Sequence, residues 1–176
     1  TADIPPDRTF EELKKLFSSP HNLRLEKLLA DFSDVFKILF PDTNLQNATK
    51  RIGKLQNETN FILKLAIIFS KANLSDCFLL QHEHFLSKSD EKLFHSLIYI
   101  DSRKLQTREN VIKQITLLGK ENFKLLSALK ESYSDEKEII TEVQNDIASG
   151  FFPFAINELN IKGTDLIAVG LQGKII

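Results

Sequence analysis

The run Phe61-Ile-Leu-Lys-Leu-Ala-Ile-Ile-Phe69 constrains this chain most. Over residues 60–71 a helix would be apolar on almost every face, which predicts a central helix buried on all sides. Such a helix needs neighbours, and the rest of the sequence supplies apolar residues at helical spacing. Phe10, Leu13, Leu16 and Phe17 form one stripe. Leu25, Leu28, Leu29, Phe32, Val35, Phe36 and Leu39 form the next, between Pro20 and Pro41. Leu93, Phe94, Leu97 and Ile98 follow Ser89, read as an N-cap, with Asp90 and Glu91 in the first turn.

Further along, Thr107 opens a helix with Val111, Ile115, Leu118, Leu125, Leu126 and Leu129 on one face, and Gly119 is placed to split it. Ser134, with Asp135 and Glu136, starts another that carries Ile139, Ile140, Val143 and Ile147 and ends at Gly150. Strand-like alternation is absent. The expectation is an all-α fold, an irregular bundle of short helices. It closes on an extended segment reaching Ile161, a turn at Lys162-Gly163 and a short tail helix. Thr164 caps that helix, Asp165 suits its positive end, and Gly170 and Gly173 interrupt it.

Composition narrows the function classes. The 176 residues are 42% hydrophobic, enough for a real core. Net charge is -1, from 23 basic and 24 acidic residues, so an RNA partner would need a local patch rather than bulk charge. The lone Cys77 excludes a disulfide framework and fits a reducing, cytoplasmic setting. The run from Phe61 to Phe69 contains Lys64 and is too short to span a bilayer. The lack of any Met, and an end at Ile176 inside an apolar stretch, read as a piece of a longer protein.

Chemistry-bearing motifs are sparse. A nucleotidyl-transfer centre needs paired carboxylates for metal ions and a flexible Gly/Ser loop for the triphosphate, and neither occurs. Asp31 and Asp34 are spaced like many solvated helix carboxylates. His82-Glu-His84 places both imidazoles on one face only in extended chain, and His95 is distant; a zinc site needs more ligands. Cys77 adjoins Phe78-Leu79-Leu80, which suits a buried thiol. No catalytic and no metal residue is assigned.

Basic residues come in groups: Lys50, Arg51 and Lys54; Arg103, Lys104, Arg108 and Lys113; then Lys120, Lys124 and Lys130. With Glu109, Glu121 and Glu131 interleaved, they fit either a phosphate track or solvated faces.

Several segments carry a resemblance when taken in order. Pro6-Asp-Arg-Thr-Phe-Glu-Glu-Leu-Lys-Lys-Leu-Phe17 resembles the neck motif Glu-Arg-Ile-x-x-Glu-Leu-x-Lys-Leu-Leu of bacterial tRNA nucleotidyltransferases (CCA-adding enzymes) and their poly(A) polymerase relatives. Arg8, Glu12, Leu13, Lys15 and Leu16 fall on matching positions. Leu23 through Phe40-Pro41 is similar to the next helix and its Phe-Pro junction. Phe61-Ile-Leu-Lys-Leu-Ala66 is similar to the buried helix of the body, His84-Phe-Leu-Ser-Lys-Ser-Asp-Glu-Lys-Leu93 to a helix start, and Gly163-x-Asp165-Leu166 to the tail. Gln172-Gly173 stands where the family often has Pro-Gly.

The resemblance implies neck-like helices over 1–40, a helical body over 41–150 and the start of a tail over 151–176. The parent would add C, C and A to tRNA 3′ ends. Its catalytic head, with Mg2+, CTP and ATP, would precede this region, so this chain alone should be inactive and hold no cofactor. Neck, body and tail would grip tRNA by shape and backbone. Arg8, Lys50, Arg51, Lys54, Arg103, Lys104, Arg108, Lys113, Lys162 and Lys174 are the expected RNA contacts. A poly(A) polymerase is the alternative within the family. A helical adaptor with an apolar groove is the alternative outside it, and predicts an exposed hydrophobic surface in place of a basic one.

Overall fold

The computed structural model describes residues 5–40, 43–70, 86–119, 121–130 and 134–150. Among them are nine α-helices and no strand, so the fold is all-α. They are α1 (Pro6–Phe17), α2 (Asn22–Asp31), α3 (Ser33–Leu39), α4 (Leu45–Gly53), α5 (Phe61–Phe69), α6 (Lys88–Asp101), α7 (Arg108–Leu118), α8 (Leu125–Lys130) and α9 (Ser134–Ala148). The extended segment and tail helix expected after residue 150, including Lys162 and Lys174, lie outside the described residues, as do Cys77, His82, His84 and Lys120.

Helix α5 is the hub. Every residue from Phe61 to Phe69 is buried, and α1, α4, α6 and α8 all pack on it. Asn60 starts it from an extended backbone, its Oδ1 accepting from the Leu63 N–H at 2.9 Å. Replacing Asn60 with alanine is expected to lower stability by about 1 kcal/mol, the usual value of an N-cap, read as a shift in urea midpoint at constant slope.

The core is threaded by edge-to-face phenylalanines. Phe10 meets Phe61 at 5.6 Å, Phe17 meets Phe61 and Phe40 at 6.3 Å, Phe40 meets Phe69 at 5.5 Å, and Phe69 meets Phe94 at 6.0 Å between ring centres. Such pairs add to the burial energy of each ring. Their chain ties α1 and the end of α3 to α5 and α6.

Three sequence expectations change in detail. The stripe from Leu25 to Leu39 is two helices, because the backbone leaves helical geometry at Phe32 (φ -110°, ψ 30°). The new phase buries Phe36 and Phe40 and leaves Phe32, Val35 and the 80%-exposed Ile38 in solvent. The N-cap of α6 is Ser87 rather than Ser89: Ser87 Oγ accepts from the Asp90 N–H at 3.2 Å and donates to Asp90 Oδ2 at 2.8 Å. Lys130 is buried, not on a polar face. Short α8 packs on α5, α6 and α9, and the Lys130 ammonium is caught among their polar groups.

Other expectations hold. Thr107 caps α7, accepting from the Asn110 N–H at 3.3 Å. Gly119 (φ +78°) divides α7 from α8 in a backbone region that L-residues rarely adopt.

Candidate nucleic-acid interface

The basic residues expected to touch RNA fall into different environments. Arg51 lies inside the molecule, 5% exposed, and this corrects its assignment as a surface phosphate contact. Its guanidinium donates to Asp101 Oδ2 at 2.8 Å and Oδ1 at 2.7 Å, to Ser70 Oγ at 3.2 Å and to the Leu129 carbonyl at 3.0 Å. The signal was readable. Arg51 follows Ala48 by three residues and adjoins Ile52, so it sits beside the apolar stripe of α4 rather than opposite it.

Arg108 stays at the surface, but its charge is already answered. It bridges Glu142 at 2.8 Å and also pairs closely with Asp146, both on α9. The hydrogen bond it donates to Asp146 is the main cause holding its pKa above the ordinary arginine value. Lys113 pairs with Glu109 one turn back at 2.8 Å, and that hydrogen bond raises its pKa. Exposed pairs of this kind are weak and break readily for a better anion.

Arg103 and Lys104 are better placed. Both are exposed on a short turn between two buried anchors, Asp101 and Leu105. Lys130 fixes that turn from below: its ammonium donates to the Arg103 carbonyl at 2.6 Å and the Asp101 carbonyl at 3.3 Å, and pairs with Glu136 at 3.3 Å. The turn is thus held by a buried cation while its own side chains face water. The Arg103 guanidinium lies 4.7 Å from the ring centre of Tyr99, a cation–π contact. Tyr99 in turn lines a groove with Lys113, so this part of the second basic group does converge.

Lys50 and Lys54 are exposed on and just after α4. Lys54 lines a cleft of about 580 Å³ with Arg24, His21 and Asn22 at the start of α2, and a second of about 510 Å³ with Lys137 of α9. Neither cleft includes Arg103, Lys104, Arg108 or Lys113. The two basic groups therefore do not meet in either cleft. Arg24 and Lys137 were missed, since only tertiary folding brings them to Lys54. Asn22 holds the loop between these clefts: its Nδ2 donates to the carbonyls of Gln56 at 2.7 Å and Glu58 at 3.0 Å, and closely to that of Leu55.

Arg8 is exposed on α1 and borders a different surface. A cleft of about 450 Å³ between α1 and α3 is lined by Arg8, Glu12, Leu13, Val35, Phe36 and Leu39. Beside it stand the exposed Phe32 and Ile38.

Residues 1–46 match a family model described as the probable RNA and SrmB-binding site of polymerase A. The match covers α1 to α3, where the neck motif lies, and so supports an RNA-binding region like that of polymerase A. None of the curated proteins and none of the solved structures matches the chain. Among the described residues no group of three or more His, Cys, Asp or Glu side chains is arranged to hold a metal ion, and no helix is long and apolar enough to cross a membrane.

Proposed function

We propose that this chain is the tRNA-holding region of a CCA-adding tRNA nucleotidyltransferase. The observation that carries the reading is the match of residues 1–46 to an RNA-binding model, on the segment where Arg8, Glu12, Leu13, Lys15 and Leu16 follow the neck motif. Nucleotide selection and phosphoryl transfer, with Mg2+, CTP and ATP, belong to a head domain, and the parent works in the cytoplasm. This chain supplies cations on a rigid helical frame. Arg103 and Lys104 on their pinned turn, with Lys50 and Lys54 on α4, are the phosphate contacts. Such contacts position RNA without reading its sequence.

The variant carrying both Arg103→Ala and Lys104→Ala should bind tRNA several-fold more weakly. The slope of log affinity against log salt should become shallower by roughly 1–2, because each lost phosphate contact removes about one released counterion. An unchanged slope removes this turn from the interface.

A poly(A) polymerase is the second reading, favoured by the name polymerase A in the description of the matched model. Competition separates the two. A tRNA lacking its CCA end should displace bound tRNA far better than an unstructured RNA of equal length; equal displacement favours the polymerase. The apolar surface of Phe32, Val35 and Ile38 favours a protein contact within the same segment. That reading requires Val35→Asp to abolish partner binding while leaving RNA affinity intact.

A further inference from the structure

We infer that the groove between α6 and α7 is a seat for one unstacked nucleobase of single-stranded RNA, built on Tyr99 and Gln114. The inference rests on the RNA reading above and lies outside residues 1–46, the segment that matches the family model. The groove encloses about 560 Å³, and its walls include His95 and Tyr99 from α6 and Lys113, Gln114 and Leu117 from α7. Three features set it apart from an ordinary surface furrow.

First, its apolar walls are exposed. Tyr99 is 47% and Leu117 43% solvent-accessible, so a flat apolar ligand gains burial there without displacing a core residue. Second, cations surround the ring. Arg103 lies over Tyr99, and Lys113 stands on the facing helix, paired with the exposed Glu109. An aromatic face beside arginine and lysine is the pattern that holds bases by stacking and the adjoining phosphate by charge. Third, a residue of its wall has an unmet polar need. Gln114 lines the groove, and its buried Oε1 has no hydrogen-bond partner among the described residues. Leaving such an acceptor dry is costly, and a rotation of the Gln114 amide toward a ligand N–H in the groove would relieve it.

The three features select a ligand class. The ring asks for a planar partner, the cations for a neighbouring phosphate, and the amide oxygen for an N–H donor. The exocyclic amino groups of adenine, cytosine and guanine and the ring N–H groups of uracil and guanine all meet the last requirement, so the amide oxygen favours a base over a bare phosphate without choosing among bases. Duplex RNA cannot use the groove, because its bases are stacked and paired.

The chain offers a direct readout. It has two tyrosines and no tryptophan, so stacking on Tyr99 should quench a large share of the intrinsic emission. The probes are a short oligoadenylate, an oligouridylate, inorganic polyphosphate and a tRNA. Oligoadenylate should quench emission of the unaltered chain and bind more tightly than oligouridylate; polyphosphate should bind without quenching. Tyr99→Leu should weaken oligoadenylate binding about tenfold, whereas Tyr99→Phe keeps the stack and should bind normally. Gln114→Leu should weaken oligoadenylate and oligouridylate by similar factors, because both bases can donate an N–H to the amide oxygen, while the preference for oligoadenylate, set by stacking on Tyr99, stays. Polyphosphate affinity should be the same for every variant, which also shows that the fold survives. The inference is overturned if Tyr99→Leu binds oligoadenylate normally, or if polyphosphate competes as well as oligoadenylate. In either case retained tRNA binding leaves the broader RNA reading standing. Failure of the unaltered chain to bind any RNA overturns both.

Discussion

Replacing Arg51 with methionine should lower the unfolding free energy by about 3–5 kcal/mol, which removes a large share of a typical domain's stability. The reason is the surroundings of Asp101. Its carboxylate is buried, and both oxygens take their hydrogen bonds from the Arg51 guanidinium. Methionine fills much of the arginine volume but donates nothing, so the mutant buries an unpaired charge. The cost comes from what is left behind rather than from the pair itself. Two ions brought out of water nearly cancel their attraction against their desolvation. The double variant Arg51→Met with Asp101→Leu should therefore recover most of the loss. A double-mutant cycle by urea unfolding checks both statements, and additive single effects would contradict them. The same pair joins α4 to α6 and, through the Leu129 carbonyl, to α8. Losing it should also loosen the turn that carries Arg103 and Lys104.

The second large effect is a pH dependence from Lys64. This lysine is fully buried in the middle of α5, and its ammonium donates to the Ser19 carbonyl at 2.7 Å. Burial disfavours the charged form and pushes its pKa down to about 8; the nearby Glu58 carboxylate opposes the shift without cancelling it. In the unfolded chain the group titrates near its ordinary 10.5. Below pH 8 both states hold the proton, and the cost of a buried charge is fully present. Between pH 8 and 10.5 the unfolded state holds more protons, so stability rises with pH across that window. The gain should be on the order of 2–3 kcal/mol relative to Lys64→Met, which has nothing to titrate there. Unfolding of both proteins from pH 7 to 10.5 reads the difference. Parallel curves would show that Lys64 keeps its ordinary pKa in the fold.

Both effects come from buried charges, Lys64 inside an apolar run and Arg51 inside a basic group. Periodicity foretold α5 as the hub, the cap at Thr107 and the break at Gly119, because each is a local consequence of residue type. It did not foretell the break at Phe32. Nothing local distinguishes the Leu25–Leu39 stripe from one long helix, and the decision rests on which rings reach Phe17 and Phe69. Nor does a basic residue announce its surroundings. Lys50, Arg51 and Lys54 read as one group, yet Lys50 and Lys54 are solvated while Arg51 is a core ion pair. The neck motif was legible in residues 6–17. Tyr99 was not singled out, because Arg103 lies on the turn beyond the end of α6 and only the course of that turn carries its guanidinium back over the ring.

The central claim is that these helices hold RNA, and equilibrium binding across a salt series tests it most directly. The chain would be titrated with tRNA and with duplex DNA of similar charge, by filter retention, from about 50 to 200 mM salt, where phosphate contacts weaken steeply. The account predicts preferential binding of tRNA, falling with salt along a slope that reflects several phosphate contacts. Equal affinity for tRNA and DNA, or no binding at the lowest salt, would contradict it.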